Sequence, residues 1–245
     1  MAETPGTPFI LQGWRTRELR FAEGTAQSRM SRWAPDRLVV DYTRTMLGAL
    51  ALVPAPQRIA MVGLGGGSQA KFLHRHLPGA TLEAIEINPA VIALRRQFRI
   101  PDDDVRFRVV HADAAEWMKA QGGAIDLLLV DGYDTSGIPA ALSTQRFYND
   151  CRAALRPGGV AAFNLYDTAH AEHRHRLHLA FGVANVVMIE EARQSNRVAF
   201  AWVGPLAAAD LAPALSRAEQ RELREALARV AMLAADVPVE LPGRR

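Results

Sequence analysis

The stretch that decides the fold is residues 58–68, RIAMVGLGGGS, where a short apolar run leads directly into a cluster of glycines. The apolar part predicts a buried strand over Arg58–Val62. The glycines predict a sharp turn in which the backbone can approach a ligand closely. Residues 68–77 predict a helix whose first N–H groups face that ligand. Strand, turn and helix in this order are typical of one unit of a doubly wound α/β sheet.

The same alternation continues along the chain. Further strands are predicted at residues 81–87, 105–110, 125–130 and 160–165, and helices at 89–98, 114–120, 144–155 and 169–181. Short strands separated by helices indicate parallel βαβ units. Two more strands, at 186–190 and 198–203, have no helix between them, so we expect them to complete the sheet as an antiparallel pair. The predicted fold class is α/β, with a doubly wound, mainly parallel sheet of seven strands.

Two shorter segments flank this predicted domain, which covers residues 56–205. Residues 1–55 predict a hairpin over 15–32 with its turn at 23–25, and then a helix from Asp36 to about Leu52. Residues 206–245 are a tail in which 217–235 predict an amphipathic helix.

Composition excludes several classes of function. The chain has 245 residues and a net charge of +3, with no basic stripe, so we expect no nucleic-acid partner. The one cysteine, Cys151, allows no disulfide within the chain and no cysteine zinc site. We see no signal peptide and no membrane span, and we expect a cytoplasmic protein. The histidines His170, His173, His175 and His178 lie on two faces of one predicted helix, so no metal site is predicted.

In parallel sheets, ligands bind beyond the carboxyl ends of the strands. The candidates there are Gly63, Gly65, Gly67, Glu86 and Asp113. Glu86 follows the glycines by about twenty residues, where an acid can accept both ribose hydroxyls. Asp113 can accept from an exocyclic amino group of a base. Each feature alone also suits a tight turn or a helix cap, but together they indicate an adenosine-containing cofactor.

A loop with two carboxylates follows the fourth predicted strand, in Asp131-Gly132-Tyr133-Asp134. Alkyl transfer from a sulfonium needs an acceptor, often an amine, that has lost its proton. A carboxylate can attract the ammonium form and take that proton, and a second carboxylate nearby raises its pKa. The alternative is that Asp131 and Gly132 form a turn and Asp134 caps the residues after it.

The glycine turn, Glu86 and Asp113 together resemble the class I S-adenosylmethionine-dependent transferases, whose fold is Rossmann-like. A nicotinamide dehydrogenase fits less well, because it seldom needs an acid such as Asp113 for the base. Over roughly residues 26–166 the chain resembles one family of this class, the spermidine synthases, which are polyamine aminopropyltransferases. The matching positions in and after the loop are Asp131, Asp134, Gly137, Pro139, Leu142, Phe147 and Tyr148.

This resemblance implies roles for individual residues. Asp131 would be the general base, and Asp134 would help to hold the amine. The cofactor would be bound by Glu86 at the ribose, by Asp113 and Ala114 at the adenine, and by Gln27 at the thioadenosine. Tyr42 and Tyr133 are expected on the substrate side. The family resemblance also implies a homodimer.

The chain departs from the family on the amine-binding side. Where the family's glycine turn continues with Asp and Gly, this chain has Ser68 and Gln69, and the family's His is Thr43. An acid at position 68 would repel the carboxylate of intact S-adenosylmethionine and favour the decarboxylated form. Ser68 removes that repulsion.

Three hypotheses therefore remain from the sequence. The leading one is transfer of an aminopropyl group from decarboxylated S-adenosylmethionine to a polyamine such as putrescine, which leaves methylthioadenosine. The second is methyl transfer from intact S-adenosylmethionine, which leaves S-adenosylhomocysteine. The third is a non-catalytic protein that binds a thioadenosine. None of the three requires a metal.

Overall fold

The computed structural model describes residues 6–22, 26–134, 137–166, 169–191, 196–206 and 215–235. Within these ranges the chain forms a small antiparallel sheet followed by a seven-stranded sheet. The predicted turn at 23–25 lies outside the described residues. No helix in the described ranges is long and apolar enough to cross a membrane.

The N-terminal sheet has three antiparallel strands, β1 (Phe9–Gln12), β2 (Thr16–Arg20) and β3 (Ser28–Ser31). The pair β2 and β3 is the hairpin that the sequence predicts. Strand β1 is not predicted, because its residues FILQ lack the alternation of apolar and polar side chains that marks a half-buried strand.

Helix α1 (Asp41–Leu47) is continued by a 3₁₀ helix over Gly48–Ala51. The sequence predicts that this helix begins at Asp36, which is wrong by five residues. Residues before α1 turn instead, because Leu38 is fully buried and Asp36 forms an ion pair with Arg75 of the following helix.

The central sheet contains the seven remaining strands: β4 (Arg58–Val62), β5 (Thr81–Glu86), β6 (Phe107–His111), β7 (Ile125–Val130), β8 (Leu155–Tyr166), β9 (Val186–Glu190) and β10 (Asn196–Trp202). Their order across the sheet is β6-β5-β4-β7-β8-β10-β9. The first five are mutually parallel, and β10 is antiparallel to both β8 and β9. The predicted seven-stranded, mainly parallel sheet is confirmed.

Helices cover both faces of this sheet. Besides α1, they are α2 (Ser68–His76), α3 (Pro89–Ala93), α4 (Ala114–Lys119), α5 (Gln145–Ala154), α6 (His170–Phe181) and α7 (Arg217–Ala235). All six residues of β7 are buried, as expected for a central strand covered on both sides. Leu127 and Leu129 join the core under α1, α2 and α7, whereas Leu128 and Val130 join the core under α4, α5 and α6.

Strand β8 and helix α3 differ markedly from their predicted lengths. Strand β8 begins at Leu155 and runs through Pro157-Gly158-Gly159, although the sequence predicts a strand only over 160–165. Gly159 allows this because it packs closely on β7: a Cβ there would lie 2.7 Å from the carbonyl oxygen of Ile125. Helix α3 is shorter than predicted, and the turns after it are held by buried Lys71, whose Nζ donates to the carbonyl oxygen of Phe98 (2.8 Å).

Candidate active site

The glycine turn between β4 and α2 has a backbone that suits glycine. Gly63, Gly65 and Gly67 have φ angles of 87°, 50° and 62°. Side chains rarely tolerate this left-handed region. Space is also limiting, because a Cβ on Gly63 would overlap the carbonyl oxygen of Asp131, and one on Gly67 would lie 2.5 Å from Cγ1 of Ile100. The turn is therefore held in a single shape by its neighbours.

Strand β3 of the N-terminal sheet lies against this turn. A Cβ on Gly66 would be 2.6 Å from Oγ of Ser28. Gln27 immediately precedes Ser28 and is half-buried, and its N–H donates to the carbonyl oxygen of Leu19 (2.9 Å). The N-terminal sheet thus brings Gln27 next to the residue that touches the glycine turn.

Glu86, at the end of β5, is attached to the same turn. Its Oε2 accepts from the backbone N–H of Leu64 (3.0 Å), and its Oε1 accepts from the N–H of Asn88 (2.9 Å). The carboxylate therefore links the second strand end to the glycines. A carboxylate has about four lone-pair sites, so these two bonds leave it further acceptor capacity.

Asp113 lies one strand further along the sheet and caps α4. Its Oδ1 accepts from the N–H groups of Ala115 (2.7 Å) and Glu116 (3.3 Å). The side chain is exposed, and Ala114 after it is buried. The backbone N–H of Ala112 donates to the carbonyl oxygen of Glu86 (3.2 Å), which joins the two strand ends. Capping and a ligand contact are compatible, because the cap uses Oδ1.

Asp131 follows β7 and receives two side-chain hydrogen bonds. The hydroxyl of Tyr42, on α1, donates to Oδ2 (3.1 Å), and Nδ2 of Asn164, on β8, donates to Oδ1 (2.8 Å). Burial raises the pKa of Asp131, and these two bonds oppose that rise. Burial and the nearby Asp131 carboxylate also hold the pKa of Tyr42 well above its ordinary value, so its hydroxyl stays a donor.

Tyr133, two residues after Asp131, is hydrogen-bonded to β8. The hydroxyl of Tyr133 donates to the carbonyl oxygen of Asn164 (2.8 Å) and accepts from the N–H of Tyr166 (2.6 Å). Because its hydroxyl is already bonded to β8, Tyr133 would contact a substrate through its ring. Asp134 is half-buried, and its N–H donates to the carbonyl oxygen of Gly137 (2.9 Å).

The residues that depart from the family pattern are buried together. Ser68, Gln69 and Thr43 are 8%, 1% and 5% exposed. Nε2 of Gln69 donates to the carbonyl oxygen of Thr43 (3.3 Å), which joins α2 to α1. Within the described part of the chain, Oε1 of Gln69 is buried and accepts no hydrogen bond.

Sequence reasoning missed Asn164. Its signal is weak but visible: it is a lone amide in the otherwise apolar run VAAFNL of β8. Buried amides need partners, so an asparagine inside a central strand points to a polar site next to it.

The histidines of α6 have separate hydrogen-bond partners. His170 bonds to the carbonyl oxygen of Leu165 and His173 to the hydroxyl of Tyr148. Among the described residues no group of His, Cys, Asp and Glu is placed to hold a metal.

The strand order and the helices on both faces define a Rossmann-like α/β protein of the class I methyltransferase type. The spermine/spermidine synthase domain model matches residues 36–176, which is more than half of the chain. The chain therefore belongs to the spermine/spermidine synthase family. The predicted family resemblance is confirmed.

Curated relatives and solved structures agree with this assignment. Polyamine aminopropyltransferases from Chromobacterium violaceum and Neisseria meningitidis serogroup B are 42% and 40% identical over 149 and 150 residues. Each match covers 60% of this chain and 57% of the relative, so the chain matches little more than half the length of these proteins.

Among solved structures, a probable spermidine synthase from Corynebacterium glutamicum superposes with a TM-score of 0.71 at 17% identity, covering 97% of this chain and 94% of that one. Human methyltransferase-like protein 13, in complex with SAH, superposes with a TM-score of 0.62 at 23% identity, covering 79% and 93%. At these identities the likeness concerns the fold.

Proposed function

We propose that this chain transfers an aminopropyl group from decarboxylated S-adenosylmethionine to an amine of the polyamine class, such as putrescine. The observation that carries the proposal is the Asp131 carboxylate, half-buried at the end of β7 and hydrogen-bonded by Tyr42 and Asn164. The family assignment and the names of the curated relatives support the same reaction.

The residues around the glycine turn suit a nucleoside cofactor. Gly63, Gly65 and Gly67 add no side chains of their own to the turn, so they do not screen its backbone groups from a ligand. We assign the ribose hydroxyls to Glu86, whose carboxylate keeps free acceptor capacity. The adenine falls to Asp113 and Ala114 on the neighbouring strand end.

Gln27, beside the turn, is assigned to the thioadenosine end. When bound, the sulfonium supplies a leaving group that needs no further activation.

Asp131 acts on the acceptor. An aliphatic amine is mostly ammonium at neutral pH and cannot attack a carbon centre in that form. The carboxylate attracts the cation, takes one proton onto an oxygen, and leaves the nitrogen lone pair free. Burial raises the pKa of Asp131, which strengthens it as a base, while Tyr42 and Asn164 stabilise its charged form. Asp134, three residues later, is assigned to the same amine or to its far end.

A second candidate is methyl transfer from intact S-adenosylmethionine. The observation that favours it is Ser68, which is buried at the start of α2 where the family has an acid. Without that negative charge, the carboxylate of intact S-adenosylmethionine meets no electrostatic repulsion from position 68. The remaining candidate is a protein that binds a thioadenosine without catalysis. The same experiment would reveal it as normal nucleoside binding with no product.

The experiment measures affinity for decarboxylated and for intact S-adenosylmethionine by calorimetry, and the products formed with putrescine by mass spectrometry. We expect tighter binding of the decarboxylated form and an aminopropylated product. Asp131→Asn should abolish turnover and leave nucleoside affinity within about twofold. Asp102→Asn, an exposed acid in the loop after α3, is the matched control and should keep full activity. A methylated acceptor, or no product with normal binding, contradicts the proposal.

A further inference from the structure

Two buried asparagines form a line of hydrogen bonds that ends on Asp131. Asn164 lies in β8, and Asn196 is the first residue of β10; each is 5% exposed. Nδ2 of Asn196 donates to Oδ1 of Asn164 (2.8 Å), and Nδ2 of Asn164 donates to Oδ1 of Asp131 (2.8 Å). The line therefore crosses from the antiparallel part of the sheet to the end of β7.

The strands bring these groups together. Val130 pairs with Phe163 across β7 and β8, so Asp131 and Asn164 are the next residues on each strand. Asn196 pairs with Tyr166 across β8 and β10, two positions beyond Asn164. The relationship follows from sheet register and is therefore as rigid as the sheet.

The direction of the bonds matters chemically. A primary amide has an acceptor oxygen at one end and a donor NH₂ at the other. Only the NH₂ end attracts a carboxylate; the oxygen end would repel it. Asn164 on its own can present either end to Asp131. Because Asn196 donates to Oδ1 of Asn164, that oxygen is occupied and the NH₂ end is left for Asp131.

We propose that Asn196 is a positioning residue that acts through Asn164 to hold the Asp131 carboxylate in its charged form and in one orientation. This proposal rests on the proposed role of Asp131 as the base. Asn196 touches neither Asp131 nor the glycine turn in the hydrogen bonds described, so it is not itself a catalytic residue.

Other titratable side chains lie near Asp131 and Asn196 and have to be considered in the test. Tyr42 of α1 donates to the second carboxylate oxygen, and Tyr133 lies beside the line with its hydroxyl on β8. Glu191, whose N–H donates to the carbonyl oxygen of Asn196, has its own partners, since it accepts from Thr45 and lies 3.8 Å from Arg229. None of these groups replaces the donor that Asn196 supplies to Asn164.

The sharpest variant is Asn196→Asp, which is nearly isosteric. A carboxylate at 196 can only accept, so it draws the NH₂ end of Asn164 toward itself and turns the oxygen end toward Asp131. We expect the pKa of Asp131 to rise by about one unit, which corresponds to a tenfold lower charged fraction below that pKa. The acid limb of kcat/KM should move to higher pH by the same amount, with nucleoside affinity unchanged.

Asn149→Asp, the same change at an exposed position of α5, is the control and should move neither quantity. A double-mutant cycle tests whether Asn196 acts through Asn164. Asn196→Ala should lower activity in the wild-type background and have no further effect on Asn164→Ala. Additive losses, or an acid limb that stays in place in Asn196→Asp, overturn the proposal.

The pKa of Asp131 is also measured directly, by ¹³C NMR titration of its labelled carboxyl group with Asp131→Asn as the assignment control. This readout needs no substrate. If Asn196→Asp shifts the pKa of Asp131 but the wild type transfers no aminopropyl group, the role of Asn196 is retained and the proposed function is rejected. If the wild type transfers the group but the pKa does not shift, the proposed function is retained and the role of Asn196 is rejected.

Discussion

Gly63 and Asp131 are packed backbone against backbone, so that a Cβ on Gly63 would overlap the carbonyl oxygen of Asp131. The N–H of Asp131 also donates to the carbonyl oxygen of Val62 (2.9 Å), the residue before Gly63. The glycine turn and the candidate base are therefore parts of one rigid junction between β4 and β7, and neither can shift without the other.

The junction predicts that Gly63→Ala is severely damaging. The change adds a side chain where φ is 87° and where Asp131 already occupies the space, so a loss of about 2–4 kcal/mol in the free energy of unfolding is expected. Urea unfolding measures it. Gly79→Ala is the matched control, because nothing lies within 4 Å of its Cβ position; it should change stability by less than about 0.5 kcal/mol. Equal stabilities for the two variants would contradict this account.

Tyr42→Phe should move the pH dependence of the reaction. The Tyr42 hydroxyl opposes the burial that raises the pKa of Asp131, so its loss raises that pKa further. A base must be deprotonated to act, and the acid limb of kcat/KM therefore moves to higher pH. Tyr148→Phe removes another buried hydroxyl, which bonds to His173 (2.6 Å), and should leave the limb in place. A limb that moves in both variants would point to a general loss of structure.

The raised pKa of Asp131 also has a consequence for stability. The folded protein holds a proton on this carboxyl at pH values where the unfolded chain has released it, so the contribution of the group to stability falls as pH rises toward the folded pKa. Asp131→Asn removes a charge that burial disfavours. We expect this variant to unfold at a higher urea concentration than the wild type at pH 7, with a smaller difference at pH 4. A less stable variant at pH 7 would argue against burial as the cause.

Lys71 predicts an opposite trend at alkaline pH. Burial lowers its pKa to about 8, and nearby Arg99 lowers it while Asp36 raises it. The unfolded chain binds this proton more tightly, so stability should rise between about pH 8 and 10.5. Lys71→Met should abolish that rise, although it also loses the bond to Phe98. Lys119→Met, on the surface of α4, should retain the rise in urea unfolding measured across this range.

Ser68 predicts how cofactor choice can be changed. Ser68→Asp places a carboxylate at the start of α2, where it repels the carboxylate of intact S-adenosylmethionine. The ratio of affinities, decarboxylated over intact, should increase about tenfold or more if the cofactor lies as proposed. Ser68→Asn has the same size without the charge and should leave the ratio unchanged. Calorimetric titration with both nucleosides measures the ratio, and an equal effect of both variants would mean that size decides it.

Most of the sheet could be predicted because its signals are local. The strands at Arg58–Val62 and Ile125–Val130 are continuous apolar runs bounded by glycine or polar residues, and their predicted bounds are correct. The start of α1 could not be predicted, since it depends on where Leu38 is buried and on the partner of Asp36 in α2. Such helix boundaries are decided by contacts between residues that are far apart in the sequence.

The same division holds at the site. The places of Glu86 and Asp113 at successive strand ends could be predicted from chain order, and Glu86 is hydrogen-bonded to the glycine turn while Asp113 caps α4. The partners of Asp131 could not, because Tyr42 and Asn164 come from segments 89 residues before and 33 residues after it. The surroundings of the Tyr133 hydroxyl also emerge only from the fold, since its two partners lie on β8.

Strand β3 carries one further consequence. Its pairing with β2, Leu19 opposite Ser28, is what sets Ser28 over Gly66. Side chains alternate along a strand, so a slip of one residue would place Gln27 or Arg29 where the small Ser28 hydroxyl now lies. It would also exchange the side chains on the two faces of β3. The number of residues between the two strands therefore determines which side chain of β3 faces the glycine turn. We therefore expect an insertion between β2 and β3 that shifts their register to remove Ser28 from Gly66.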